Sequence, residues 1–271
     1  MLALLGIAAL LVTASGCSKL KARDQLNKGV QAYKNAKYEE AIERFKNAVA
    51  YDPGLLNARL YLATAYAQQY IPGADTPENN RNAEAAIDQY KQVLDRHPSR
   101  EQNINSNKGI AYLYLQMKKF DQAKEYYKKV TTLDPNDPEP YYSVAVIDWT
   151  QTYQPRMEER AKLGLKPDEQ LKDKKVCAHL KTLNADKIQD GIDNLKKALQ
   201  LRPDYDDAMA YMNLMYREKA DTECDDPAAR AEDLKTADEW VDKTMATKKA
   251  KAAKQSGPGG IVNEQQGQQQ Q

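Results

Sequence analysis

The residues in this 271-residue chain that could do chemistry are few: Cys17, Cys177 and Cys224, the histidines His97 and His179, and the paired aspartates Asp206-Asp207 and Asp225-Asp226. Cys177-Ala178-His179 offers a thiol beside an imidazole, the types used by a nucleophile and its base or by a metal. Residues two apart on a helix do not face each other. A zinc site needs about four convergent ligands, and His97 lies far along the chain, in front of Pro98. The aspartate pairs read as helix N-terminal residues, where a carboxylate satisfies backbone N–H groups and the helix dipole. The chain has no glycine-rich phosphate loop and no Ser-His-Asp arrangement. We therefore assign no catalytic residue, no metal and no cofactor, and expect no enzyme. A net charge of +1 gives no sign of nucleic acid as a partner, for which a clustered basic surface would be expected.

The informative signal is in the elements. A-I-E-R-F-K-N-A-V-A-Y-D-P at 41–53 is echoed at 86–98, 123–135 and 191–203. Ala41, Phe45 and Ala48 fall on one helix face. The small residue admits a neighbouring helix and the aromatic fills the space beside it. The closing proline disfavours helix in the residue before it. A first helix precedes each copy: Gly29 lies 12 residues before Ala41, and Ala111 lies 12 before Ala123. With 17 Tyr against 2 Phe, these paired helices resemble the tetratricopeptide repeat, whose period is about 34 residues. The resemblance implies an all-α fold: an α-solenoid, a right-handed superhelix of about five helix hairpins.

The terminal prolines Pro53, Pro98, Pro135 and Pro203 are 45, 37 and 68 residues apart. The second repeat then carries an insertion at Ile71–Asn82, rich in turn residues. The long gap holds either a degenerate repeat or an insertion at Gln151–Lys187 inside the fourth. We favour the insertion, with Tyr141–Trp149 as first helix and Ile188–Leu201 as partner. Ala208–Lys219 and Ala228–Thr247 form a fifth, capping pair, with Leu234, Ala237, Val241 and Met245 facing inward. Residues 25–247 make the array. Residues 248–271, rich in Lys and Gln, are expected to be disordered.

Leu2–Val12 is an apolar run too short to span a bilayer and reads as the apolar region of a secretory signal. The Ala14-Ser15-Gly16-Cys17 sequence resembles a bacterial lipobox, although Ala14 stands where leucine is usual and no cation precedes the apolar run. The alternative is an ordinary cleaved signal with a chance cysteine. The resemblance implies a signal at 1–16 and a lipidated Cys17 on a short tether, 17–24. It also implies an acyl anchor in a lipid membrane of a bacterial envelope, with Ser18 favouring the outer membrane facing the periplasm. In such an oxidising compartment Cys177 and Cys224 either bridge or stay as thiols.

In the resembled family the first helices line a concave groove that binds protein or peptide. The matching positions here are Tyr33 in the first repeat; Asn57, Thr64 and Gln68 in the second; and Asn105, Lys108, Tyr112 and Gln116 in the third. Tyr142 and Trp149 follow in the fourth and Arg217 in the fifth. The expected function is an envelope scaffold for an assembly, secretion or pilus-type complex. The alternatives are an adaptor for peptidoglycan-remodelling enzymes and a soluble periplasmic chaperone.

Overall fold

The computed structural model describes residues 2–166 and 169–255, and the side chains of 16–166 and 169–254. The described residues form ten helices and no strand. They divide into two compact units, Met1–Asn136 and Asp137–Gln271.

The first unit holds three hairpins: α1 (Leu2–Lys34) with α2 (Tyr38–Tyr51), α3 (Leu56–Gln69) with α4 (Pro77–Leu94), and α5 (Arg100–Gln116) with α6 (Phe120–Leu133). The repeated small and aromatic residues are its packing code. Ala41, Phe45 and Ala48 are fully buried, and Phe45 lies so close over Gly29 that a Cβ there would stand 2.5 Å from the ring. Tyr90, at the equivalent place in α4, covers Gly109 of α5 in the same way, at 2.4 Å. Only a residue without a side chain admits these rings. Two hairpins turn identically. Lys37 N donates to Ala32 O and Lys119 N to Tyr114 O, across the left-handed residues Ala36 and Lys118. This six-to-one bond satisfies carbonyls that the helix end would leave open.

The insertion of the second repeat is a short loop ahead of a longer helix. Thr76 caps α4 and Pro77 opens it, so 77–82 is helical, not turn. The loop is held by buried Asn79, which accepts from Ile71 N at 2.7 Å and donates to the carbonyls of Ile71 and Ala74 at 2.8 and 2.7 Å. At the other end of the unit, residues 17–24, expected as a tether, are helical and continuous with α1, and Ala22 is fully buried.

The second unit holds α7 (Pro138–Lys162) with α8 (Lys174–Leu201), and α9 (Asp206–Ala220) with α10 (Pro227–Gln255). Residues 151–187 are an insertion and no degenerate repeat. Both helices of one hairpin simply continue, α7 past Trp149 and α8 from well before Ile188. Asn184 Nδ2 donates to Thr152 O across the extended pair at 3.3 Å.

This extension docks on the end of α9 through buried charge. Arg156 donates to Glu218 Oε1 and Asp221 Oδ2, both at 2.8 Å. Arg160, 1% exposed, donates to Asp221 at 2.7 Å and to the carbonyls of Lys166 and Glu169. Cys177 and Cys224 are joined by a disulfide beside this network, their Cα atoms 5.5 Å apart. Leu171, Leu180 and Leu165 pack around it. The bridge spans 47 residues, so reduction is expected to lower stability by about 2–4 kcal/mol through loop entropy. Chemical denaturation with and without reductant, compared with Cys177→Ser/Cys224→Ser, measures this.

Burial pushes the Glu218 carboxyl up to about 7, against the opposing pull of Arg156. A carboxyl whose native value is raised favours the protonated fold, so its contribution is complete below its ordinary range and is lost as pH rises through 7. We expect melting of this unit to shift downward between pH 5 and pH 8, and Glu218→Gln to flatten that slope.

The register of α10 differs from expectation by about one residue. Its inward face is Asp233, Ala237, Trp240 and Thr244, while Val241 and Met245 are 39% and 65% exposed. Charge fixes it: Lys219 holds Asp233 at 2.7 Å and Lys251 holds Asp206 at 2.5 Å. Residues 248–255, the start of the stretch expected to be disordered, are helical, with Lys251 paired among them. Residues 256–271, and the side chains of 1–15 where a signal is expected, lie outside the described residues.

Candidate partner-binding faces

In the first unit, α3 and α5 stand side by side and leave a hollow of about 470 Å³ between them. Asn57, Leu60 and Thr64 line it from α3, spaced at helical intervals on one face, and Asn105 from α5. Its wall is mainly polar. Gln102 Nε2 donates to Asn57 Oδ1 at 2.7 Å. Thr64 Oγ1 lies 3.1 Å from Tyr90 Oη and donates to Leu60 O at 3.0 Å. Ser99 caps α5 in a reciprocal box with Gln102, which sets the angle at which α5 enters the hollow. Tyr61 reaches in from the rim, 40% exposed, and Glu101 supplies the charge. Amide side chains and an aromatic rim suit an extended backbone, which offers both donors and acceptors.

Of the residues expected from sequence, Asn57, Thr64 and Asn105 come together here. Lys108 follows one turn on along α5, half-buried and engaged with neighbours. Tyr112, further along α5, is 49% exposed. Gln116 lines a separate recess of about 210 Å³ against the 70–80 loop, and Gln68 is exposed on the last turn of α3. Tyr33 is not on an open face. It packs edge-on against Tyr38 with centroids 5.4 Å apart and contributes to the core around Phe45. Tyr61, Glu101 and Gln102 were missed by sequence reasoning. Gln102 carried a signal, the Ser-x-x-Gln spacing of a capping box.

In the second unit the first helices α7 and α9 bring aromatics together. Tyr142 and Trp149, both expected, sit 5.5 and 5.4 Å from Tyr211 of α9. Trp149 also stacks on Tyr153 at 4.8 Å. Burial raises the Tyr142 and Tyr211 phenols above their ordinary range, and Asp207 adds to both. Arg217 is turned aside. It donates to Asn213 at 2.8 Å and to Asp238 at 2.7 Å.

Cys17 is exposed, and its neighbour Ser18 donates to Tyr51 O at 2.5 Å. His179 is exposed on α8, and among the described residues no group of three His, Cys, Asp or Glu is placed to hold a metal ion.

Stacked antiparallel hairpins with first helices lining a hollow define a repeat scaffold, a class that binds proteins or peptides and is generally non-enzymatic. Residues 26–101 and 106–137 match models of the tetratricopeptide repeat, so the chain carries tetratricopeptide repeats over these segments. Solved structures extend the likeness over both units. A MamA from Desulfovibrio magneticus RS-1, residues 41 to the end, is 16% identical with a TM-score of 0.57, covering 86% of this chain and 98% of its own. Another MamA crystal structure is 13% identical with a TM-score of 0.56, covering 86% and 94%. YrrB, a repeat protein described as having an unusual peptide-binding site, is 13% identical with a TM-score of 0.51, covering 84% and 91%. At these identities the likeness is one of fold. No curated protein matches the sequence.

Proposed function

We propose that this protein is a lipid-anchored scaffold of a bacterial envelope that holds an extended segment of another protein in the hollow between α3 and α5. The observation that carries the reading is the hollow itself. Two neighbouring first helices present Asn57, Asn105 and Thr64 around a space of about 470 Å³. YrrB, similar in fold, has a peptide-binding site. The anchor is supported by the lipobox-like Ala14–Cys17 after an apolar run. Two or three acyl chains on Cys17 would make attachment stable, because each buried methylene contributes about 0.8 kcal/mol.

A photo-crosslinking residue at Tyr61 or Tyr112, introduced in cells, is expected to capture a discrete protein partner. Asn57→Ala/Asn105→Ala is expected to reduce that capture at least tenfold. Crosslinking that ignores the double substitution places the partner elsewhere. An alkyne fatty acid is expected to label the wild type and not Cys17→Ser, and equal labelling of both removes the anchor.

A further inference from the structure

The aromatic face of the second unit has a charge pattern that selects its ligand. Its rings are Tyr142, Trp149 and Tyr153 of α7 and Tyr211 of α9, with Tyr153 37% exposed. Ring faces are negative and attract cations. Asp207 lies one turn before Tyr211 on α9, on the same face, exposed and near enough to raise both Tyr142 and Tyr211. The cations of the surrounding elements are held by other carboxylates. Arg202 pairs with Glu139 and Lys251 with Asp206, although the Lys251 charge also reaches Asp207. Arg217 pairs with Asp238, and Arg156 with Glu218 and Asp221.

The same unit shows how such a face is filled. Arg202 lies 4.3 Å over the Tyr205 ring while donating to Glu139 at 2.7 Å. Tyr205 touches Tyr142 at 4.9 Å. A guanidinium between a tyrosine ring and a carboxylate is thus already built beside the open rings. Tyr211 with Asp207 again sets a ring beside a carboxylate, and among the described residues no cation lies over the Tyr211 ring.

We propose that this face binds an arginine-bearing segment of a partner, its guanidinium over Tyr211 and Trp149 and its charge met by Asp207. The proposal rests on reading the first-helix faces as binding surfaces, and it adds a second, cation-selective site to the amide-lined hollow. An acidic terminus, which needs a basic groove, is the wrong ligand here.

The test uses the full chain as Trp240→Phe, so that Trp149 is the single indole reporter of the two tryptophans. The probes are acetylated, amidated Ala-Arg-Ala-Arg-Ala, its citrulline analogue with the same shape and no charge, and its glutamate analogue. Saturable change in Trp149 emission is expected with the arginine peptide. Affinity should be at least tenfold weaker for citrulline, with no saturable response to glutamate. Asp207→Asn, a surface change that should leave the fold intact by circular dichroism, is expected to weaken arginine binding about fivefold, and Tyr211→Leu to abolish it. Equal response to arginine and citrulline, or an unaltered affinity in Asp207→Asn, overturns the proposal. Asn57→Ala/Asn105→Ala should leave this titration unchanged. Loss of arginine binding with intact crosslinking at Tyr61 sinks this inference alone; loss of crosslinking with intact arginine binding sinks only the hollow.

Discussion

Phe45→Ala will destabilise the first unit by about 3–5 kcal/mol, the usual cost of emptying a buried aromatic site. The ring is fully buried against Ala32, Ala41, Leu62 and Ala65 and fills the groove that Gly29 leaves open. It also stacks on Tyr61 with centroids 5.6 Å apart. Its removal therefore loosens α3 at the rim of the hollow as well as the α1–α2 hairpin. Collapse into the void is opposed from both sides, because Gly29 has no side chain to follow the ring. Two compact units need not unfold together, so a single midpoint is a poor measure. Amide hydrogen exchange resolves them: protection should fall across α1–α3 and persist in α9. Uniform loss across both units would mean that the hairpins melt as one.

Phe45 and Gly29 also mark what could be read from sequence. A small residue and an aromatic at fixed spacing state a contact directly, because each makes sense only against the other. Hence the hairpins, their order and the α3 side of the hollow were legible. Charged residues state less. Arg156, Arg160, Glu218 and Asp221 carried no signal in the sequence, since such residues are seldom buried unless paired. Their partners lie about 60 residues away in sequence, where spacing carries no information. The polar burial of α8 at Asn184 hid its helical period in the same way, so residues 151–187 were read as an insertion but not as the continuation of both helices. In α10 the apolar residues Leu234, Val241 and Met245 formed a plausible stripe. The pairs Lys219–Asp233 and Lys251–Asp206, together with the packing of Trp240, fix a different one. Apolar periodicity predicts a buried face well only when no ion pair competes for it.

Arg160→Met should destabilise the second unit by about 3–5 kcal/mol, because breaking one member of a buried ionic network strands the others. Arg160 is the hub. Its guanidinium reaches Asp221 on the turn after α9 and the carbonyls of Lys166 and Glu169 in the loop before α8. Methionine matches much of its length and fills the space, so the loss measured is mainly of charge and hydrogen bonds. Asp221 keeps Arg156, but the two carbonyls lose their donor in a site with little access to water. Arg160→Lys should rescue only partly, since one ammonium cannot reproduce the planar fork that reaches three acceptors. The disulfide still ties α8 to the α9–α10 turn in this variant, and the loop at 163–173 should become the weak point. Trypsin should cut after Lys172 at least tenfold faster than in the wild type while α9 stays protected. Reducing Cys177–Cys224 in the same variant should destabilise by more than the two single effects combined. Network and bridge clamp the same extension, so each limits how far it opens when the other is lost. Simple additivity in that double cycle would mean that the extension is held at two independent places.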